Sequence, residues 1–67
     1  MNWEQIEGDW KQMKGRLKQR WAKLTNDDLD AIDGKREELV GKIQKLEGIT
    51  RERAEKDLDE FVKRLDA

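Results

Sequence analysis

The side chains in this chain that could do acid–base, nucleophilic or metal chemistry are carboxylates, lysines, arginines and two threonines, Thr25 and Thr50; histidine, cysteine, serine and tyrosine are absent. That repertoire lacks the usual general base, the usual nucleophiles and the soft metal ligands. Paired carboxylates support glycoside hydrolysis, but only in a cleft whose walls hold the two groups at a fixed separation. A chain of 67 residues has little wall to build one from. We therefore read the sequence as that of a protein that is not an enzyme, with no catalytic residue and no cofactor.

The acidic segment Asp27, Asp28, Asp30 and Asp33 raises a calcium site. A twelve-residue calcium loop starting at Asp28 would need glycine at its sixth position and glutamate at its twelfth, where this chain has Asp33 and Leu39. The match fails, and no metal site is assigned. Asp27 and Asp28 instead suit the positive end of a helix dipole, with Asp30 and Asp33 in water.

A stronger pattern is Lys11, Lys14, Arg16, Lys18, Arg20 and Lys23 interleaved with Trp10 and Trp21, since basic and aromatic side chains together hold nucleic-acid backbone and bases. On a helix, at about 100° per residue, Lys11, Lys14 and Lys18 fall on one flank of the apolar stripe and Arg16, Arg20 and Lys23 on the other. The tryptophans lie within the stripe, which makes them core anchors rather than stacking platforms. Opposite sit Gln12, Gly15, Gln19 and Ala22, a nearly uncharged face. We expect the flanking charges to meet the acidic segments Asp27 to Asp33 and Glu55, Asp57 and Glu60. Contact of the six basic residues with nucleic acid is the alternative, and pairing of the Gly15 and Ala22 face with a partner helix is a third reading.

The elements that must position these residues follow from periodicity. Trp3, Ile6, Trp10, Met13, Leu17, Trp21 and Leu24 recur every three or four residues, an amphipathic helix that Gly8 breaks or bends, with Asp9 capping the longer segment Trp10 to Lys23. Thr25 caps a short second helix ending near Gly34, and Leu24 and Leu29 take hydrophobic-staple positions there. A third helix runs from about Lys35 to Glu47, with Leu39, Ile43 and Leu46 on one face and Gly48 as a left-handed C-terminal cap. Ile49 and Thr50 restart the chain into a fourth, with Ala54, Leu58, Phe61 and Leu65 inward and Val62 beside them. Five pairs at four-residue spacing, Glu7 with Lys11, Glu38 with Lys42, Glu52 with Lys56, Asp59 with Lys63 and Glu60 with Arg64, have the favourable order on a helix surface. No proline interrupts the segments and no strand-like alternation competes, so the fold class is all-α in one domain over residues 1–67.

Composition bounds what such a domain does. Charged residues are 46% of the chain and hydrophobic ones 34%, with a net charge of -1, and the mean hydropathy is -1.17. The balance is hydrophilic and close to that of chains that stay disordered, and it gives no global field for polyanions. The N-terminal Met1-Asn2-Trp3-Glu4 lacks the basic start and apolar run of a signal peptide, and no apolar stretch is long enough to span a bilayer. The expected location is the cytoplasm, with no membrane association, and the expected state is a monomer or a weak self-associating species.

The blocks Trp10-Lys11-Gln12-Met13-Lys14-Gly15-Arg16-Leu17-Lys18, Trp21-Ala22-Lys23-Leu24-Thr25-Asn26-Asp27-Asp28-Leu29 and Gly34-Lys35-Arg36-Glu37-Glu38-Leu39-Val40-Gly41-Lys42-Ile43-Gln44 resemble the signature of the CsbD-like family of small bacterial proteins. The resemblance covers nearly the whole chain and is least specific in the C-terminal helix. It implies a cytoplasmic protein of the bacterial general stress response, with a four-helix fold of two helical hairpins packed across one another. It implies no enzyme and carries over no catalytic or binding residue. Family members often have an aromatic residue before the glycine that ends the third helix, where this chain has Leu46-Glu47-Gly48. The function expected is therefore non-catalytic, that of a hydrophilic protectant or weak interaction module.

Overall fold

The computed structural model describes residues 1–65, and among them five helices and no strand: α1 Trp3–Gly8, α2 Trp10–Arg20, α3 Asn26–Ile32, α4 Arg36–Glu47 and α5 Arg51–Leu65. The all-α class is as expected, and the first amphipathic stretch breaks at Gly8 into two helices.

Asn2 starts α1 with a capping box: its Oδ1 accepts from the Gln5 N–H at 2.9 Å, and Gln5 Oε1 accepts from the Asn2 N–H at 3.1 Å. Asp9 then closes α1 and opens α2. Its N–H donates back to the Gln5 carbonyl at 3.0 Å, and its carbonyl accepts from the N–H groups of Gln12 and Met13. The cap expected from its side chain does not form, and the backbone alone makes the joint.

The far end of α2 departs from the periodicity. The helix stops at Arg20 rather than Lys23, and Trp21 takes a non-helical backbone, φ -121° and ψ 88°. Trp21 and Leu24 are nevertheless 2% and 3% exposed. Helical spacing put both in the core correctly, but the chain delivers them from a tight connection in which the Leu24 N–H donates to the Trp21 carbonyl at 3.0 Å. Thr25 then caps α3 as expected. Its Oγ1 accepts from the Asp28 N–H at 3.1 Å, and Asp28 Oδ2 accepts from the Thr25 N–H at 3.2 Å.

Left-handed residues end α3 and α4. After α3 the cap is Asp33 at φ 49°, followed by Gly34 at φ 81°; after α4 it is Gly48 at φ 64°, as expected. Gly34 is required for a second reason. A Cβ there would lie 2.6 Å from Cγ of Glu7, so α1 closes directly onto the α3–α4 corner.

All five helices feed one core of Ile6, Trp10, Met13, Leu17, Trp21, Leu24, Leu29, Ile32, Leu39, Val40, Ile43, Ala54, Leu58 and Phe61, with Met1, Trp3, Leu46, Ile49, Val62 and Leu65 packed against it. Indole N–H groups fix the orientation of the N-terminal half: Trp10 Nε1 donates to the Leu29 carbonyl at 2.9 Å and Trp3 Nε1 to the Gly34 carbonyl at 2.8 Å. Trp21 packs on Phe61 with ring centres 5.5 Å apart.

Two outcomes follow. Trp21→Ala should cost about 3 to 5 kcal/mol, comparable with the about 3 to 10 kcal/mol expected of a domain this size; thermal melting by circular dichroism checks it, and a parent-like melt would contradict the packing. The Asp28 carboxyl is held below its ordinary 3.8, first by the backbone N–H of Thr25 and then by Lys42. A carboxyl with a depressed folded-state pKa contributes stability above its unfolded value and loses it as pH falls through the folded one. Asp28→Asn should therefore melt below the parent at pH 7, and the gap should close as pH falls below 3.8.

Candidate functional site

The six basic side chains of the first half sit on α2 and the connection after it, with no acidic residue between Trp10 and Leu24. Helical geometry distributes the five on α2 as expected to the two sides of the buried Trp10, Met13 and Leu17 stripe, Lys23 lies beyond the helix end, and the neighbouring elements decide what each one meets.

On the lysine side lies α3. Lys14 Nζ bonds Asp30 Oδ1 at 2.6 Å, and Lys18 Nζ bonds the neutral Asn26 Oδ1 at 2.6 Å. On the arginine side lies α5, where Arg20 reaches Asp57 at 3.9 Å and stacks over the Trp21 ring at 4.7 Å. Lys23 Nζ reaches the Leu46 carbonyl at 3.3 Å. Lys11 and Arg16 are exposed and meet no hydrogen-bond or ion-pair partner among the described residues. Both acidic segments thus supply a partner, but only Lys14 and Arg20 pair with a carboxylate. Lys18 and Lys23 donate to neutral oxygens, and their charge is not cancelled.

The tryptophans interleaved with these residues are 9% exposed at Trp10 and 2% at Trp21, which leaves no ring free for a base to stack on. The outer strip between the two flanks, Gln12, Gly15 and Gln19, is exposed, and Ala22 is exposed in the connection. What α2 offers to solvent is amide groups edged by cationic ends.

The acidic segment is dispersed rather than convergent. Asp28 serves the α3 cap and pairs with Lys42 at 3.1 Å, Asp30 pairs with Lys14, and Asp33 is the left-handed residue after α3. No group of three acidic side chains converges among the described residues.

Sequence reading missed the charge partners of α4 and α5. None of the five favourable four-residue pairs forms among the described residues. Lys42 crosses to Asp28 on α3, and Asp59 accepts from Arg36 at 2.7 Å on α4. The four-residue pairs that do form are Arg51 with Glu55 at 2.7 Å and Arg53 with Asp57 at 3.1 Å, both in the less favourable order. Spacing along one helix records which charges can meet, but a charge on a helix flank meets its neighbour across the groove, and that neighbour is set by packing.

No helix among the described residues is long and apolar enough to cross a membrane. No solved structure matches the chain. Among curated proteins it is 50% identical to the UPF0337 protein YjbJ of Escherichia coli, over 98% of this chain and 96% of that one. It is 51% identical to a UPF0337 protein of Pseudomonas aeruginosa, over 97% and 100%, and 55% identical to one of Agrobacterium fabrum, over 91% of each. With the model of the CsbD-like family matching residues 4–56 and half of all positions shared with these relatives over nearly their whole length, the chain belongs to the CsbD-like family.

Proposed function

We propose that this chain is a bacterial stress-response protein that acts in the cytoplasm without catalysis, as a hydrophilic protectant and weak interaction module. The observation that carries the reading is the strict separation of side chains. Among the described residues no large apolar side chain is exposed and no charged one is buried. A surface so uniformly charged stays hydrated, holding water and ions around itself, and it works by abundance rather than through a high-affinity site. Its frame in this reading is a four-helix unit of two crossed hairpins, α2 with α3 and α4 with α5, taking α1 and α2 as one interrupted helix. Supporting that frame, α2 and α3 are joined by Trp10 with Leu29 and Lys14 with Asp30, and α4 and α5 by Arg36 with Asp59 and Glu37 with Arg51.

A second reading, contact with nucleic acid through Lys11, Lys14, Arg16, Lys18, Arg20 and Lys23, is favoured by one observation: four of these six charges are not paired to a carboxylate. With the tryptophans buried, such contact would lack base stacking and would rest mainly on charge.

Freeze–thaw of a labile enzyme with increasing amounts of the protein tests the first reading. Recovered activity should rise with mass ratio and be unchanged by Lys11→Ala with Arg16→Ala; protection no better than that from an equal mass of an unrelated folded protein would refute it. Fluorescence anisotropy with labelled duplex DNA separates the second. Affinity weaker than about 10⁻⁴ M at physiological salt is expected on the first reading. Micromolar affinity, with a salt slope that shrinks by about one for each of the same two substitutions, establishes the second.

A further inference from the structure

A groove of about 740 Å³ runs between the outer faces of α3 and α4. Its floor includes Ala31, Ile32 and Ile49, and Asp27, Glu38 and Lys45 stand on its rim. These three charged residues are exposed, and none has an ion-pair partner among the described residues.

The charges have an order along α4. Glu38 stands three residues before Gly41 and Lys45 four residues after it, and at about 100° per residue all three fall within about 60° of one another on the outward side of the helix. A two-fold axis through Gly41, perpendicular to α4, carries the acidic half of this face onto the basic half. Two copies related by that axis lie antiparallel, with Glu38 of each beside Lys45 of the other. A parallel arrangement would set like charges together, and a foreign helix of one sign would meet a like charge at one end of the groove. Antiparallel pairing also brings opposite ends of the two helix dipoles together.

Gly41 makes the crossing possible. It is exposed, and a Cβ built on it would meet nothing within 4 Å, so at the axis the two backbones are separated by no side chain of their own. Of the apolar floor, Ile32 is already buried, so exposed Ala31 and half-buried Ile49 supply the small apolar surface to be removed from water.

We propose that this groove is an isologous self-association face, in which a second copy of the chain lays its α4 antiparallel across the first at Gly41. The pairing closes on itself as a dimer and does not propagate. It is weak: a stable complex removes about 800 Å² from each partner, roughly a sixth of the 4632 Å² this chain exposes, and the groove occupies a smaller part of one side.

Sedimentation velocity from about 10 μM to about 1 mM tests the proposal. The expected result is a reversible monomer–dimer equilibrium that stops at the dimer and weakens with salt. Glu38→Lys alone and Lys45→Glu alone should each weaken association at least tenfold. The double variant, Glu38→Lys with Lys45→Glu, should restore it, because exchanging the two charges preserves their reciprocal pairing. Gly41→Trp should abolish the dimer while leaving the helical circular dichroism signal and melting temperature close to the parent's, since the space around Gly41 is open. Monomer throughout the range, a dimer indifferent to Gly41→Trp, growth beyond the dimer, or a double variant as weak as the singles would each overturn it. Were Gly41→Trp to unfold the chain, the charge-exchange series decides alone. Freeze–thaw protection by the monomeric variants is read separately, so loss of the dimer and loss of the protective role are distinguishable.

Discussion

Two indole N–H groups hold the N-terminal third of this protein to the corner between α3 and α4, and much of the remaining geometry depends on them. Trp10 donates to the Leu29 carbonyl, which also accepts the closing N–H of Asp33, so one oxygen serves both the end of α3 and the seating of α2. Trp3 donates to Gly34, the residue whose missing side chain lets Glu7 approach. A buried ring with an unsatisfied N–H is costly, and each bond is satisfied at one position of the corner. With no disulfide and a small core, orientation comes from these few directional contacts, and apolar burial supplies the driving force.

The charged surface is organised by the same packing. Once α2 lies between α3 and α5, Lys14 and Arg20 fall opposite carboxylates and Lys11 and Arg16 face solvent. The exposed pairs contribute little each, about 0 to 1 kcal/mol. Their arrangement matters more for what is left uncancelled: a cationic edge on α2, and an acid-to-base gradient along the outside of α4.

Helix existence, the caps at Thr25 and Gly48, and almost the whole core were legible in the sequence, because these depend on neighbours within four residues. Trp21 and Leu24 mark the limit. Their spacing placed them inside correctly but could not show that the helix ends at Arg20, since a tight connection can deliver side chains to the same places. The break at Gly8 was legible, but the silent Asp9 side chain was not, because three backbone hydrogen bonds of Asp9 already satisfy the joint. For the candidate basic residues, spacing along the chain assigned the flanks and the acidic segments they face. Which charges would be cancelled depended on the distance between helices, information that no spacing within one helix contains.

The helices that pack most closely, α1 with α2, α3 with α4 and α4 with α5, are neighbours along the chain. Little loop entropy must be lost before their contacts form, and topologies of this kind fold in about microseconds to milliseconds. The chain has no proline and no cysteine, so neither a slow peptide-bond isomerisation nor disulfide reshuffling delays the return. A molecule unfolded by a passing insult can regain its native form unaided as soon as the insult lifts, so that in a damaged cell it makes little demand on chaperones.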